Sequence, residues 1–220
     1  MTGTSEEVAA VLLAAGAGSR FGGERGAKLL ADFRGRPLVV YAMETLAGSP
    51  VEKVFVVVED ASGEVASLAR SFGSERCEFV VVENRASDKG QATSVEAGLG
   101  AVREAGGFGG LLVALGDQPL VGGEVVARLV EAFRDGARVA VATYSGRRRN
   151  PVLFSREVWE ELGEGLRGDE GARGFLKSRR ELVLEVECGD VGSAADVDTK
   201  DDLEALERTN AGAGYRKKVL

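Results

Sequence analysis

Arg20 and Lys28 frame a glycine-rich stretch, with Gly16, Gly18, Gly22, Gly23 and Gly26, that directly follows the apolar run Val8–Ala14. A buried strand that opens into such a loop can build a phosphate site. Glycine lets the backbone approach an anion closely and adopt positive φ, and the exposed N–H groups then point at it. Arg20 and Lys28 would add full positive charge. Asp117 follows a second apolar run, in Leu115-Gly116-Asp117-Gln118-Pro119. A carboxylate held rigidly at a sheet edge suits Mg²⁺, which takes few carboxylates and completes its shell with phosphate oxygens. Asp196 and Asp198 fall on one face of an extended segment, and either could be a second ligand. Each feature has a plainer alternative: a surface loop for the glycines, a turn cap for Asp117, and helix capping by Asp198 or Thr199 before Asp201–Leu206.

Short apolar runs must position these groups. Val8–Ala14, Val54–Val58, Phe79–Val82, Leu111–Leu115 and Val139–Thr143 are apolar on both faces, as parallel strands covered by helices are. Helical spacing lies between them at Leu38–Ala47, Glu64–Phe72, Gln91–Ala105 and Gly123–Phe133. The alternation predicts a single Rossmann-like, three-layer α/β/α domain with a mostly parallel sheet over residues 1–208, and a flexible tail over 209–220. Ligands of such sheets gather at the carboxyl ends of the strands. The third run delivers Asn84 there, then Gly90 and Ser94, although Ser87 or Asp88 could simply cap the next helix. Arg147-Arg148-Arg149-Asn150 is a solvated loop or, beside an anionic substrate, a phosphate fork.

Composition excludes several functions. A formal charge of −7 argues against a general nucleic-acid binder. The absence of histidine removes histidine-based triads, general bases and zinc ligands. Cys77 and Cys188 sit in no motif and read as buried thiols of a reducing compartment. No apolar run reaches the roughly 18 residues of a membrane span, and the acidic start lacks a signal-peptide core, so the expected location is the cytoplasm. No Walker A loop occurs. The dinucleotide fingerprint begins at Gly16-x-Gly18, but Phe21 stands where its third glycine belongs.

Leu13-Ala14-Ala15-Gly16-Ala17-Gly18-Ser19-Arg20-Phe21-Gly22, with Lys28-Leu29-Leu30 after it, resembles the signature loop of small nucleotidyltransferases, in particular the molybdenum cofactor cytidylyltransferases. Their usual form is L-A-A-G-x-S-x-R-M-G-x-x-K-L-L. Gly18 here takes the serine position, Phe21 the methionine, and the spacer before Lys28 is three residues longer. Gly116-Asp117-Gln118-Pro119 resembles that family's metal-binding motif, and Asp196-Val197-Asp198-Thr199 its D-I-D-T, with Lys200 in place of proline. Asn150 replaces the histidine of G-H-P-V-L-F, and Gly168–Arg173 resembles G-D-x-G-A-R, which would shape an acceptor pocket.

The resemblance implies a Mg²⁺-dependent nucleotidyltransferase. Arg20, Lys28 and Asp117 would be catalytic, and Asp117 and Asp198 would hold the metal. Leu13, Ala14, Ala15, Gly16, Ala17, Gly18, Ser19, Arg20, Lys28, Asn84, Gly90 and Ser94 would contact the nucleotide. Ala15 in place of the L-A-G-G glycine of guanylyl enzymes favours CTP, with molybdopterin as the acceptor and a molybdoenzyme as a partner. Guanylyl, sugar 1-phosphate, 2-phospholactate or methylerythritol phosphate transfer are alternatives, as is a non-catalytic accessory protein that binds nucleotide or cofactor. The methylerythritol enzymes usually carry D-A-A-R-P where this chain has Gly116-Asp117-Gln118-Pro119.

Overall fold

A computed structural model describes residues 5–16, 18–22, 26–73 and 76–210. In chain order the strands and helices are β1 Val8–Leu13, α1 Ala27–Leu30, β2 Asp32–Phe33, β3 Arg36–Pro37, α2 Leu38–Ala47, β4 Lys53–Val58, α3 Glu64–Ser71, β5 Glu78–Glu83, α4 Gln91–Ala105, β6 Gly110–Leu115, α5 Gly123–Arg134, β7 Val139–Tyr144, β8 Arg147–Ser155, α6 Trp159–Gly165, α7 Arg173–Ser178, β9 Val183–Glu187 and α8 Lys200–Asn210. The main sheet has the order β5-β4-β1-β6-β8-β7-β9. Only β8 runs against its neighbours in this sheet; all its other pairings are parallel. This is the mostly parallel α/β architecture that the apolar runs predict.

All six residues of β1 are buried, because helices cover both faces of the sheet. Val8, Ala10 and Leu12 point into one core with residues of α2, α3 and α5. Ala9, Val11 and Leu13 point into the opposite core with residues of α4, α6 and α7. The period of two along a strand produces this division. Gly98 on α4 lets the helix settle directly on β1: a Cβ there would lie 2.4 Å from Val11 Cγ1.

The arginine run belongs to a strand, not to a loop. Ser145 and Gly146 both take positive φ, 52° and 72°, and join β7 to β8. Tyr144 pairs with Arg147 across this two-residue turn, the geometry a tight hairpin requires. A register shift follows: Val141 faces Val152 and Ala142 faces Arg149, so Asn150 and Pro151 form the irregularity. Proline has no N–H to give a ladder and is tolerated at such a point.

A third, smaller core lies outside the sheet. Phe21, Phe33, Leu38, Val197 and Leu206 bury one another there. It joins the glycine loop, the β2–β3 hairpin, the start of α2 and the C-terminal segment. Helix α8 runs on to Asn210, into the segment read as a tail, and residues 211–220 lie outside the described residues. No helix among the described residues is long and apolar enough to cross a membrane.

Candidate active site

Four charged side chains from three distant parts of the chain meet at the carboxyl edge of the sheet. Lys28 Nζ donates to Asp117 Oδ2 at 2.7 Å and to Asp198 Oδ1 at 3.3 Å. Arg20 Nη1 donates to the other oxygen of Asp198, Oδ2, at 3.0 Å. The cluster grades from inside to outside. Lys28 is 11% exposed, Asp117 20%, Asp198 41% and Arg20 76%. Burial works to lower the Lys28 pKa. The charge and hydrogen bond of Asp117, joined by those of Asp198, outweigh it and hold the ammonium above the usual lysine value. Asp117 Oδ1 is buried and has no hydrogen-bond partner among the described residues, an unusual condition for a buried carboxylate oxygen.

Each of these residues is positioned by backbone. The Ala14 N–H donates to Val57 O at 2.8 Å and the Gly116 N–H to Leu13 O at 3.0 Å, so the strand ladders continue into the site. Ala14 and Ala15 are buried, while Gly16 and Ser19 are exposed. Ala17 lies outside the described residues. Gly18 takes φ 61°, and a Cβ there would stand 3.1 Å from Lys28 Cβ, so the loop rests on the lysine stem. Gly26, with φ 83°, starts α1 and aims Lys28 inward. Beyond β6, the Val197 N–H donates to Asp117 O, the Ser193 N–H to Leu120 O, and Gln118 Nε2 to Ala194 O. These three bonds strap the segment before α8 across the end of β6.

The strap decides between the two C-terminal aspartates. Val197 is fully buried in the third core and its N–H donates to Asp117 O, which holds the next residue, Asp198, beside Lys28. Asp196 is exposed and makes no ion pair with a described residue. Capping falls to Thr199. Its Oγ1 accepts from the Asp202 N–H at 3.1 Å, and Asp202 Oδ2 accepts from the Thr199 N–H at 2.8 Å, a reciprocal capping box. This leaves the Asp198 carboxylate free to face the site.

The box gives a testable expectation. Thr199→Ala should cost about 1 kcal/mol, read as a lower thermal midpoint. The Thr199 hydroxyl and N–H hold the Asp202 carboxyl below the usual carboxylate range. A depressed folded value means the stabilisation is present above the unfolded value, near ~3.9, and is lost as pH falls through the folded value. Amide protection factors at the start of α8 should therefore fall below about pH 4 in the wild type, and this acid step should shrink in Thr199→Ala.

The third-strand residues hold their own loop together. Asn84 Nδ2 donates to Thr93 Oγ1 and Ser94 Oγ, both at 3.0 Å, and its Oδ1 accepts from the Ala86 N–H. Asn84 and Ser94 are buried. Their side chains pin the 84–90 loop to the start of α4. Gly90 packs against the Gly168–Asp169 loop, where a Cβ would lie 2.5 Å from Gly168 C. Leu13, Leu115, Gln91, Asn150 and Arg173 line a shallow cleft beside them. Arg148 is engaged by Glu185 at 2.7 Å, while Arg147 and Arg149 are exposed. Reading motifs in isolation missed Phe21, Val197 and Gln118 as positioning residues. For Phe21 and Val197 the available signal was an apolar residue next to each charged one.

A mostly parallel sheet with a glycine-rich loop after β1, and a lysine-bridged pair of carboxylates at its carboxyl edge, is the arrangement of a nucleotide-handling α/β transferase. The chain belongs to the MobA-like NTP transferase domain family, which matches residues 10–183. It is 34% identical over 206 residues to nicotine blue oxidoreductase of Paenarthrobacter nicotinovorans, covering 90% of this chain and 96% of that one. The Rv0371c homologue of Mycobacterium sp. strain JC1 superposes with a TM-score of 0.75 at 27% identity, over 94% of this chain and 98% of that one. Rv0371c of Mycobacterium tuberculosis H37Rv, in complex with manganese, superposes with a TM-score of 0.69 at 27% identity, over 93% of this chain and 100% of that one. The protein is a nucleotidyltransferase of this type.

Proposed function

We propose that the protein moves CMP from CTP onto molybdopterin, with Mg²⁺, and releases pyrophosphate. The observation that carries this reading is the convergence of Asp117 and Asp198 on one ammonium, with Arg20 beside them.

The residues fit a hard divalent ion. Both donors are carboxylates, and Asp117 has a buried oxygen without a partner among the described residues. Among the described residues no group of three or more acidic, cysteine or histidine side chains forms a closed cage. One or two carboxylates completed by substrate oxygens is how Mg²⁺ is usually held in phosphoryl-transfer enzymes. Asp117 and Asp198 would hold it, and when bound it supplies charge neutralisation at the phosphates.

The remaining chemistry belongs to the chain. The glycine-loop N–H groups, Arg20 and Lys28 would bind the triphosphate and stabilise the charge that develops as the α-phosphorus is attacked. The attacking group is an oxygen of the acceptor phosphate. It bonds to the α-phosphorus while the bond to the β-phosphate oxygen breaks, and pyrophosphate leaves with the electron pair. A phosphate oxygen is already ionised at neutral pH, so a chain without histidine needs no general base. Catalysis then consists of positioning and electrostatics. Ala15 stands where guanylyl enzymes usually carry glycine, which supports a pyrimidine over a purine.

The test is pyrophosphate release with CTP, GTP, ATP and UTP against molybdopterin and a panel of sugar 1-phosphates, with NADH and NADPH consumption followed in a parallel assay that supplies nicotine blue as the oxidant. Release with CTP and molybdopterin alone is expected. Preference for GTP would replace cytidylyl by guanylyl transfer, and release with a sugar 1-phosphate would move the acceptor class. Nucleotide binding with no release would favour an accessory role. Consumption of a reduced nicotinamide would favour the chemistry named for the nicotine blue relative.

A further inference from the structure

Lys28 stands where a cation belongs. Its ammonium bridges the two carboxylates proposed to hold the metal, at 2.7 and 3.3 Å, and only 11% of its side chain is exposed. A divalent ion arriving alone meets two penalties there. If Lys28 stays, two like charges share a partly buried space, where Coulomb forces are only weakly screened. If Lys28 withdraws, a poorly solvated ammonium loses both partners, and Gly18 packed on its stem limits its escape. The neighbouring cation Arg20 is already paired to the outer oxygen of Asp198, so both Asp198 oxygens already face a cation. A triphosphate removes both penalties, because it offers the flexible lysine head a new anionic partner within the same loop.

We propose that Lys28 is a built-in counter-ion that keeps a divalent ion out of the Asp117–Asp198 pair until nucleotide phosphate draws the ammonium away, so that metal and nucleotide enter together. This deepens the reading above and rests on its assignment of the two carboxylates. Linkage makes the effect reciprocal: phosphate tightens metal binding by the factor with which metal tightens phosphate.

The experiment titrates Mn²⁺ alone, followed by the loss of its free electron paramagnetic resonance signal, into wild type, Lys28→Met and Lys28→Arg. Lys28→Met is expected to bind Mn²⁺ on the order of tenfold tighter than wild type, within the usual range for coupled sites. Lys28→Arg keeps the charge and should stay as weak as wild type. Adding Asp117→Asn to Lys28→Met should abolish the gain, which locates it. If Lys28→Met fails to fold, as judged by its circular dichroism melt, Lys28→Gln takes its place. Equal or weaker Mn²⁺ binding by the neutral variant would overturn the proposal. No nucleoside triphosphate or acceptor enters this titration. Absent pyrophosphate release with an intact Mn²⁺ gain would therefore refute the transfer reading and leave the counter-ion standing, and the reverse pattern would refute the counter-ion alone.

Discussion

Asp117→Asn is expected to lower pyrophosphate release by about 10²–10³ in kcat, equivalent to roughly 2.7–4 kcal/mol of transition-state stabilisation. The side chain keeps its shape, so the Val197-to-Asp117 backbone bond that ties the strap to β6 should survive. What is lost is the charge of the more buried of the two carboxylates, the one to which Lys28 donates at 2.7 Å. Asp198→Asn should cost less, because Asp198 is 41% exposed and water can replace part of its role. Steady-state kinetics of both variants, with circular dichroism to confirm folding, checks the order. If Asp117→Asn kept activity within a few-fold of wild type, Asp117 would not be the metal-holding carboxylate.

Gly90→Ala is expected to destabilise the fold by about 3 kcal/mol or more. Gly90 has φ 108° and ψ 169°, a region open in practice only to glycine, and forcing another residue there costs about 1–3 kcal/mol. The added methyl would also stand 2.5 Å from Gly168 C and 2.6 Å from Gly168 O, both backbone atoms that cannot rotate away. Overpacking of this kind adds about 1–3 kcal/mol. For a chain of this size the thermal midpoint should fall by roughly 6–12 °C. A midpoint within a degree or two of wild type would show that the 168–169 loop yields easily. The resemblance made Gly90 a nucleotide contact, whereas the packing gives it a structural task whatever its part in binding.

Much of the frame was legible because its signals are local. Helices α2 and α4 run over the residues that their apolar spacing predicts, and five apolar runs became β1, β4, β5, β6 and β7. A period of two or 3.6 needs no knowledge of the rest of the chain. Strand β8 was hidden because its charged start resembles a solvated loop. Ser145-Gly146, which turns the chain back, is a weaker hairpin signal than Asn-Gly. Strand β9 is a sheet edge with exposed residues, Leu184 among them, so it lacks the two-sided apolar pattern of the inner strands.

The types of the site residues were likewise set by the chain alone: a glycine loop with Arg20 and Lys28, a carboxylate at Asp117, and a pair at Asp196 and Asp198. Which of them meet was a tertiary matter. Sequence alternation treats Asp196 and Asp198 alike, and nothing local separates them. The Val197 N–H bond to Asp117 O sets the residue after Val197, Asp198, beside Lys28, while Asp196, the residue before it, makes no ion pair with a described residue. Residues 28, 117 and 198 are brought together by contacts spanning 89 and 170 positions of chain. Charge type is a property of one residue, but its partner is chosen by long-range packing, which no window of sequence contains.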